Sequence, residues 1–178
     1  MQKQPLLKGK NVLVIEDDRQ MRFIVRNLVF SLGASDVLEA GDGSQALTLL
    51  ASSRPHMVLC DLKMRPVGGL EFVRRLRADK DNPSRFVPVI MITAHPDIDN
   101  VALARDSGAT EFMAKPLSKA VLEKRIQRVL TEPRPFILVD GFVGPDRRRK
   151  AANGFGGQDR RTNPPTLIPV DSAGQRIG

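Results

Sequence analysis

Val12–Asp18 reads VLVIEDD, and it is the most informative segment of the sequence for the fold. Its first four residues are branched apolar side chains, a run typical of a strand buried on both faces of a parallel sheet. Three carboxylates follow at once, those of Glu16, Asp17 and Asp18. Ligands of open parallel sheets bind in the crevice at the carboxyl ends of the strands. The stretch therefore predicts a buried strand that ends in an acidic site.

The same alternation of apolar runs and amphipathic segments continues to about residue 130. We predict strands at Asn11–Ile15, Val37–Ala40, Met57–Cys60, Val87–Thr93 and Glu111–Ala114. We predict helices at Arg19–Leu32, Ser44–Ser52, Leu70–Ala78, Ile98–Ser107 and Ser118–Leu130. Strands that alternate with helices indicate an α/β fold, a parallel sheet with helices on both faces.

Polar side chains lie at the end of four of the predicted strands or directly after it. Glu16 and Asp17 follow the first, Asp61 the third and Lys115 the fifth, while Thr93 ends the fourth. Converging carboxylates repel one another unless a cation lies among them, and such oxygen ligands suit Mg²⁺. A lysine ammonium and a threonine hydroxyl can bind the oxygens of a transferring phosphoryl group. The pattern predicts a magnesium-dependent phosphoryl site.

Other polar residues of this region favour structural roles. Asp18 has the position and type of a helix N-cap. His56 and His95 lack a partner at metal-ligand spacing, and Cys60 lies within a predicted buried strand. The helix arginines, Arg74, Arg75 and Arg77, are expected on a solvated face.

Composition limits the class of protein. The chain has 178 residues, with 28 Lys and Arg against 20 Asp and Glu, which gives a net charge of +8. This charge predicts an anionic partner. A single cysteine excludes an internal disulfide and favours a reducing cytoplasm. The sequence contains no apolar run long enough for a membrane helix, so we expect no membrane insertion.

Residues 8–130 resemble the response-regulator receiver family, of which CheY-like proteins are members. The motifs are VLVIEDD, VLCDLKM (Val58–Met64), PVGGLEF (Pro66–Phe72), MITA (Met91–Ala94) and FMAKP (Phe112–Pro116). The resemblance implies a flavodoxin-like fold, with a five-stranded parallel sheet of order 2-1-3-4-5. It places a receiver domain at residues 1–130.

The resemblance also assigns the predicted site. It implies that Asp61 is the phosphoacceptor and that Glu16, Asp17, Asp61 and the backbone carbonyl of Lys63 bind Mg²⁺. A histidine kinase or phosphotransferase would be the phosphoryl donor. The protein would accept the group on itself, with no external product, so we do not expect an enzyme.

Two further positions form the switch that the resemblance implies. Thr93 would follow the phosphoryl group, while Lys115, which precedes a cis peptide bond to Pro116, would neutralise it. Phe112 takes the position of the aromatic switch residue, without a hydroxyl group. The chain departs from the commonest family pattern at Pro66, one place later than usual, and at Gly68, where an acidic residue is frequent.

Residues 131–178 form a tail rich in Pro, Gly and Arg, which we expect to be disordered until a ligand binds. The unit F-x-G-x-D-R-R occurs twice in it, at 142–148 and 155–161. Residues 142–161 hold six basic side chains against two acidic ones, a net +4. The candidate ligand-binding residues are Phe142, Asp146, Arg147, Arg148, Arg149, Phe155, Asp159, Arg160 and Arg161.

The repeated unit suits a ligand with two guanines and phosphates. An arginine fork binds guanine O6 and N7 or a phosphate, and it also stacks on a base. Aspartate can accept hydrogen bonds from the opposite edge of guanine. Phenylalanine offers stacking surface. Cyclic di-GMP is a ligand of this kind.

The tail resembles the arginine-rich C-terminal segment of CheY-like cyclic di-GMP effectors, the Cle group. This resemblance implies a cytoplasmic bacterial signalling adaptor that docks on a target such as the flagellar motor switch and is recruited to the motor. Two alternatives remain. One is a stand-alone phosphorelay receiver with an inert tail. The other is nucleic-acid binding, which the absence of a groove-reading helix pattern disfavours.

Overall fold

The structure is a computed structural model that describes residues 4–139, 141–147 and 165–177. Its first ten elements alternate strand and helix. They are β1 (Asn11–Ile15), α1 (Arg19–Ser31), β2 (Asp36–Ala40), α2 (Gly43–Ser52), β3 (Met57–Asp61), α3 (Gly69–Ala78), β4 (Val89–Thr93), α4 (Ile98–Ser107), β5 (Glu111–Ala114) and α5 (Lys119–Thr131). Three short strands follow, β6 (Phe136–Val139), β7 (Phe142–Pro145) and β8 (Thr166–Ile168).

The first five strands form one parallel sheet in the order β2-β1-β3-β4-β5, which confirms the predicted fold. Two apolar clusters cover its faces. One contains residues of α2, α3 and α4, such as Leu50, Phe72 and Ala104. The other contains residues of α1 and α5, such as Val29 and Ile126. The sheet is therefore covered by helices on both sides, as the continuous apolar strands require.

Short polar side chains begin four of the five helices. Asp18 accepts a hydrogen bond from the Met21 amide at 2.7 Å, which confirms its role as the N-cap of α1. Asp42 begins α2, Asp97 begins α4 and Ser118 begins α5 in the same way. These caps fix where each loop at the carboxyl edge of the sheet turns into a helix. Among the described residues, no helix combines the length and the apolar character needed to cross a membrane.

The segment after α5 differs from our expectation of a disordered tail. Strands β6, β7 and β8 form an antiparallel sheet in the order β7-β6-β8. We call residues 136–139, 141–147 and 165–177 the extension sheet region. It buries Phe136 and Ile168 against Phe86, which lies just before β4. The expectation was wrong for these residues, because they bury apolar side chains against the receiver instead of remaining in solvent.

Arg77 also differs from the sequence prediction, since it is buried instead of solvated. Its guanidinium group donates to the carbonyl oxygens of Gly108 at 3.2 Å and Val87 at 2.8 Å, and to that of Arg85. The same group lies 4.8 Å from the centre of the Phe136 ring. Burial lowers the pKa of Arg77 to about 9, which still leaves it charged at neutral pH. One helix side chain thus joins two receiver loops, the one before β4 and the one before β5, to the extension sheet region.

Candidate functional site

The fold brings the predicted phosphoryl-site residues together at the carboxyl edge of the sheet. Glu16 follows β1, Asp61 ends β3, Thr93 ends β4 and Lys115 follows β5. Their strands are neighbours in the order β1-β3-β4-β5. The side chains of Glu16, Asp61 and Thr93 are buried, whereas Asp17 is exposed at the rim. The crevice is therefore built from four separate strands.

Lys115 connects the two buried carboxylates. Its Nζ atom lies 2.8 Å from Oε2 of Glu16 and 2.7 Å from Oδ1 of Asp61. Both are charge-assisted hydrogen bonds in a site that is largely shielded from water. The lysine therefore offsets part of the repulsion between the two carboxylates.

The acidic residues fit a divalent cation. Glu16, Asp17 and Asp61 each offer a carboxylate oxygen, and these atoms all lie within 4.8 Å of one another. Hard oxygen donors of this kind are the ligands that Mg²⁺ prefers. The Lys63 amide donates to Oδ2 of Asp61 at 2.9 Å, so the loop after β3 lies beside this carboxylate. The metal-binding role of the Lys63 carbonyl stays a prediction.

Burial and charge shift two pKa values in this crevice. Burial raises the pKa of Glu16 above its usual range and the Asp61 carboxylate adds to this rise, while Lys115 opposes it. Burial alone would lower the pKa of Lys115, but its hydrogen bonds with Asp61 and Glu16 raise it. The lysine therefore remains an ammonium group at neutral pH, paired with the two carboxylates.

The two predicted switch residues lie on adjacent strands. Thr93 is buried, and its Oγ1 accepts a hydrogen bond from the His95 amide at 3.1 Å. Phe112 on β5 is half-buried and packs against the apolar cluster of α2, α3 and α4. The Lys115 amide donates to the Thr93 carbonyl at 2.7 Å. The peptide bond from Lys115 to Pro116 is cis, as the resemblance implied.

This fold and this acidic crevice define a receiver domain, and the chain belongs to that family. The family model described as the response regulator receiver domain matches residues 12–127. The chain is 31% identical to the chemotaxis protein CheY of Pseudomonas aeruginosa over 118 residues, which cover 66% of this chain and 94% of that protein. It is also 31% identical to CheY-3 of Vibrio cholerae over 124 residues, covering 70% of this chain and 94% of that protein.

Solved structures give the same result. The chain resembles Vibrio cholerae CheY4 with a TM-score of 0.63 and 29% identity, covering 68% of this chain and 98% of that one. It also resembles the receiver domain of a Pseudomonas aeruginosa sensor histidine kinase, with a TM-score of 0.60 and 28% identity, covering 67% and 95% of the two chains. That structure holds a magnesium ion in its active-site cleft. This chain is accordingly a CheY-like receiver of a signalling system.

The first F-x-G-x-D-R-R unit lies partly in the extension sheet region. Phe142 begins β7 and is half-buried, and its ring occupies the space that a Cβ atom at Gly144 would need. The Asp146 amide donates to the Pro135 carbonyl at 2.7 Å. The Arg147 guanidinium donates to the Ala109 carbonyl. The described part of the unit is therefore packed along the receiver.

The other predicted ligand-binding residues lie outside the described residues. They are Arg148, Arg149, Phe155, Asp159, Arg160 and Arg161. Their role in binding cyclic di-GMP stays a prediction from the sequence.

Sequence reasoning missed one group of charged residues on the receiver. Arg125, Arg128 and Arg134 surround Glu111 at the start of β5. A sequence signal existed, because Arg125 and Arg128 are three residues apart on one helix and so share a face. Their convergence on Glu111 depends on how α5 packs beside β5, which no local pattern specifies.

Proposed function

We propose that this protein is a signalling adaptor with two inputs. The receiver accepts a phosphoryl group on Asp61, and the arginine-rich segment binds cyclic di-GMP. Both inputs control docking on a target, for which the flagellar motor switch is the leading candidate. The observation that carries the proposal is the contact of Lys115 with both Glu16 and Asp61 in a chain of the receiver family.

The phosphoryl transfer follows from the groups at the crevice. A carboxylate oxygen of Asp61 forms a bond to phosphorus, and the bond from phosphorus to a histidine nitrogen of the donor protein breaks. Mg²⁺ bound by Glu16, Asp17, Asp61 and the Lys63 carbonyl would supply positive charge next to the phosphoryl oxygens. An aspartyl phosphate adds negative charge, which the Lys115 ammonium is placed to neutralise.

The conformational change caused by phosphorylation would pass from Thr93 to Phe112. The Thr93 hydroxyl can donate a hydrogen bond to a phosphoryl oxygen once Asp61 carries one. Phe112 is half-buried on the neighbouring strand, so a shift of β4 towards the phosphoryl group changes the space open to its ring. The face formed by β4, α4 and β5 would then bind its partner protein with a different affinity.

Cyclic di-GMP binding is supported by the sequence of the segment. The two F-x-G-x-D-R-R units suit two guanines and their phosphates. Strand β7 carries the start of the first unit, so a ligand bound there lies against the receiver. Cyclic di-GMP can control docking only if it binds the docking-competent state more tightly than the other state.

Calorimetric titration of the full chain with cyclic di-GMP tests this part of the proposal. We expect saturable binding that weakens at least tenfold in Asp159→Ala and in Arg160→Ala, because each loses a guanine or phosphate contact. Arg54→Ala is the matched control, since Arg54 is an exposed arginine far along the chain from both units. Point substitutions are preferable to truncation at residue 135, because truncation would uncover Phe86.

Two outcomes would support the alternatives. Absence of binding by the wild-type protein would leave a stand-alone phosphorelay receiver. Binding of duplex DNA or RNA with a steep salt dependence, and without preference for cyclic di-GMP, would indicate nucleic-acid binding. In the described part, the extension sheet region consists of short strands and contains no groove-reading helix, which favours the nucleotide.

A further inference from the structure

Five arginines line a cleft of about 370 Å³ on the receiver. They come from separate segments that only the fold brings together. Arg105 lies on α4, Arg125 and Arg128 lie on α5, Arg134 follows α5, and Arg147 follows β7. Phe112, the predicted switch residue, lines the same cleft.

The positive charge in this cleft exceeds the negative charge. Of its described lining residues, Glu111 is the acidic one. Its carboxylate lies 3.2 Å from Arg125, 3.7 Å from Arg128 and 3.9 Å from Arg134. Since one carboxylate carries a single negative charge, it cannot neutralise the guanidinium groups that share it. The cleft therefore has capacity for an additional anion.

Arg147 brings the extension sheet region into this cleft. Its guanidinium group donates to the neutral carbonyl of Ala109. The pKa of Arg147 is lowered by partial removal of its guanidinium group from water and by the positive charges of Arg134 and Arg105, while Glu111 and Asp106 oppose this shift. An anion placed among these groups would relieve their repulsion.

The other ion pairs of the cleft arginines are exposed and exchangeable. Arg105 pairs with Asp106 at 2.8 Å, and both side chains are more than half exposed. Arg128 lies 3.9 Å from Glu132, whose side chain is 72% exposed. Exposed pairs of this kind contribute little to stability. These arginines can therefore turn towards a ligand at small cost.

We propose that this arginine cleft binds a phosphate group of the cyclic dinucleotide, so that the receiver itself supplies part of the nucleotide site. This inference rests on the proposed function and names the partner site of the tail. Arginine forks match phosphate oxygens in geometry and charge. Arg147 belongs to the first F-x-G-x-D-R-R unit, so the cleft and the unit are continuous along the chain.

The position of the cleft gives the nucleotide a direct route to the switch. Glu111 and Phe112 both line it and both lie on β5. A phosphate that draws Arg125 or Arg128 away from Glu111 changes the contacts of this strand. Nucleotide binding and the conformation of the Phe112 side chain are then coupled directly through β5.

The test compares two double variants of the full chain by calorimetry with cyclic di-GMP. Arg125→Gln with Arg128→Gln removes two cleft arginines. Arg54→Gln with Arg75→Gln is the matched control, because it removes the same charge from two exposed arginines outside the cleft. Thermal unfolding of both double variants verifies that they are folded.

We expect the cleft variant to bind cyclic di-GMP at least tenfold more weakly than the control variant. In wild-type protein and the control, cyclic di-GMP should also shift the backbone amide NMR signals of Glu111 and Phe112, and the cleft variant should lose these shifts. Equal affinity of the two variants would overturn the inference while the proposed function stands. No binding by wild-type protein would overturn both.

Discussion

The Nζ atom of Lys115 lies 2.7 Å from Oδ1 of Asp61, across the crevice at the carboxyl edge of the sheet. Lys115 follows β5 and Asp61 ends β3, so two strands separated by β4 hold this pair in place. The ammonium group also contacts Glu16. This geometry places a positive charge next to the atom that we propose as the phosphoryl acceptor.

Replacing Lys115 with Met should destabilise the protein by roughly 2–3 kcal/mol at neutral pH, because two buried carboxylates lose their counter-charge. The loss should shrink in acid, where Glu16, whose pKa is raised by burial, is protonated. Urea unfolding of the wild-type protein and the Lys115 variant at neutral and acidic pH measures the difference in their free energies of unfolding. Lys124→Met, on the exposed face of α5, is the control and should be nearly neutral. An equal loss at both pH values would contradict the electrostatic explanation.

Replacing Arg77 with Met should cost about 3 kcal/mol of stability, because three carbonyl oxygens lose a charged donor in a buried place. The extension sheet region should also detach from the receiver more often and become easier to cleave, since the guanidinium group packs on Phe136. Limited proteolysis near Arg134 and chemical denaturation measure the two effects. Arg75→Met on the same helix, exposed and paired with Glu71, should change neither. Equal stability and equal cleavage rates of the two variants would show that Arg77 does not hold the extension sheet region on the receiver.

A substitution of Gly174 tests whether the end of the extension sheet region packs on the receiver. Gly174 has φ of 76°, and a Cβ atom there would lie 2.1 Å from the Phe86 carbonyl oxygen. Gly141 has φ of 80° with open space around it. Gly141→Ala should cost about 1 kcal/mol for its backbone conformation alone. Gly174→Ala should cost about 2 kcal/mol more because of the clash. Equal costs in urea unfolding would contradict this packing.

We predict that His56 makes the free energy of unfolding depend on pH. Its Nδ1 accepts a hydrogen bond from the Asn11 amide at 3.1 Å, which requires a neutral ring. Burial, together with the charge of Lys10, lowers the pKa of His56 below 6.5. A lowered histidine pKa means that its contribution to stability is present above pH 6.5 and is lost as the pH falls through the folded-state pKa.

His56→Asn keeps an acceptor for Asn11 but does not titrate, so its stability should change less with pH. Urea unfolding from about pH 8 to about pH 5 compares it with the wild-type protein. The control is His95→Asn, because His95 is exposed and is the other histidine of the chain. If the His95 variant flattened the pH profile instead, the assignment to His56 would be wrong.

The receiver could be predicted from sequence because its signals are local. Buried strands such as Asn11–Ile15 and capping residues such as Asp18 are visible within a few residues. The predicted helix Arg19–Leu32 ends one residue earlier in the structure, at Ser31. The crevice could be predicted as well, because parallel strands bring their ends to one edge.

The extension sheet region could not be predicted in full because its pairings are long-range. Strand β8 pairs with β6 across nearly thirty residues and has only three residues of its own. A signal for the β6–β7 hairpin was present, since Asp140-Gly141 separates two apolar runs. The burial of Arg77 had no such signal, because it depends on Phe136 packing from sixty residues away.

Intact-mass measurement after incubation with acetyl phosphate and Mg²⁺ shows whether Asp61 accepts a phosphoryl group. We predict that the wild-type protein and Asp81→Asn, an exposed control, gain the mass of one phosphoryl group, and that Asp61→Asn gains none. No gain by the wild-type protein, or an equal gain by the Asp61 variant, would contradict the assignment of Asp61 as the phosphoryl acceptor.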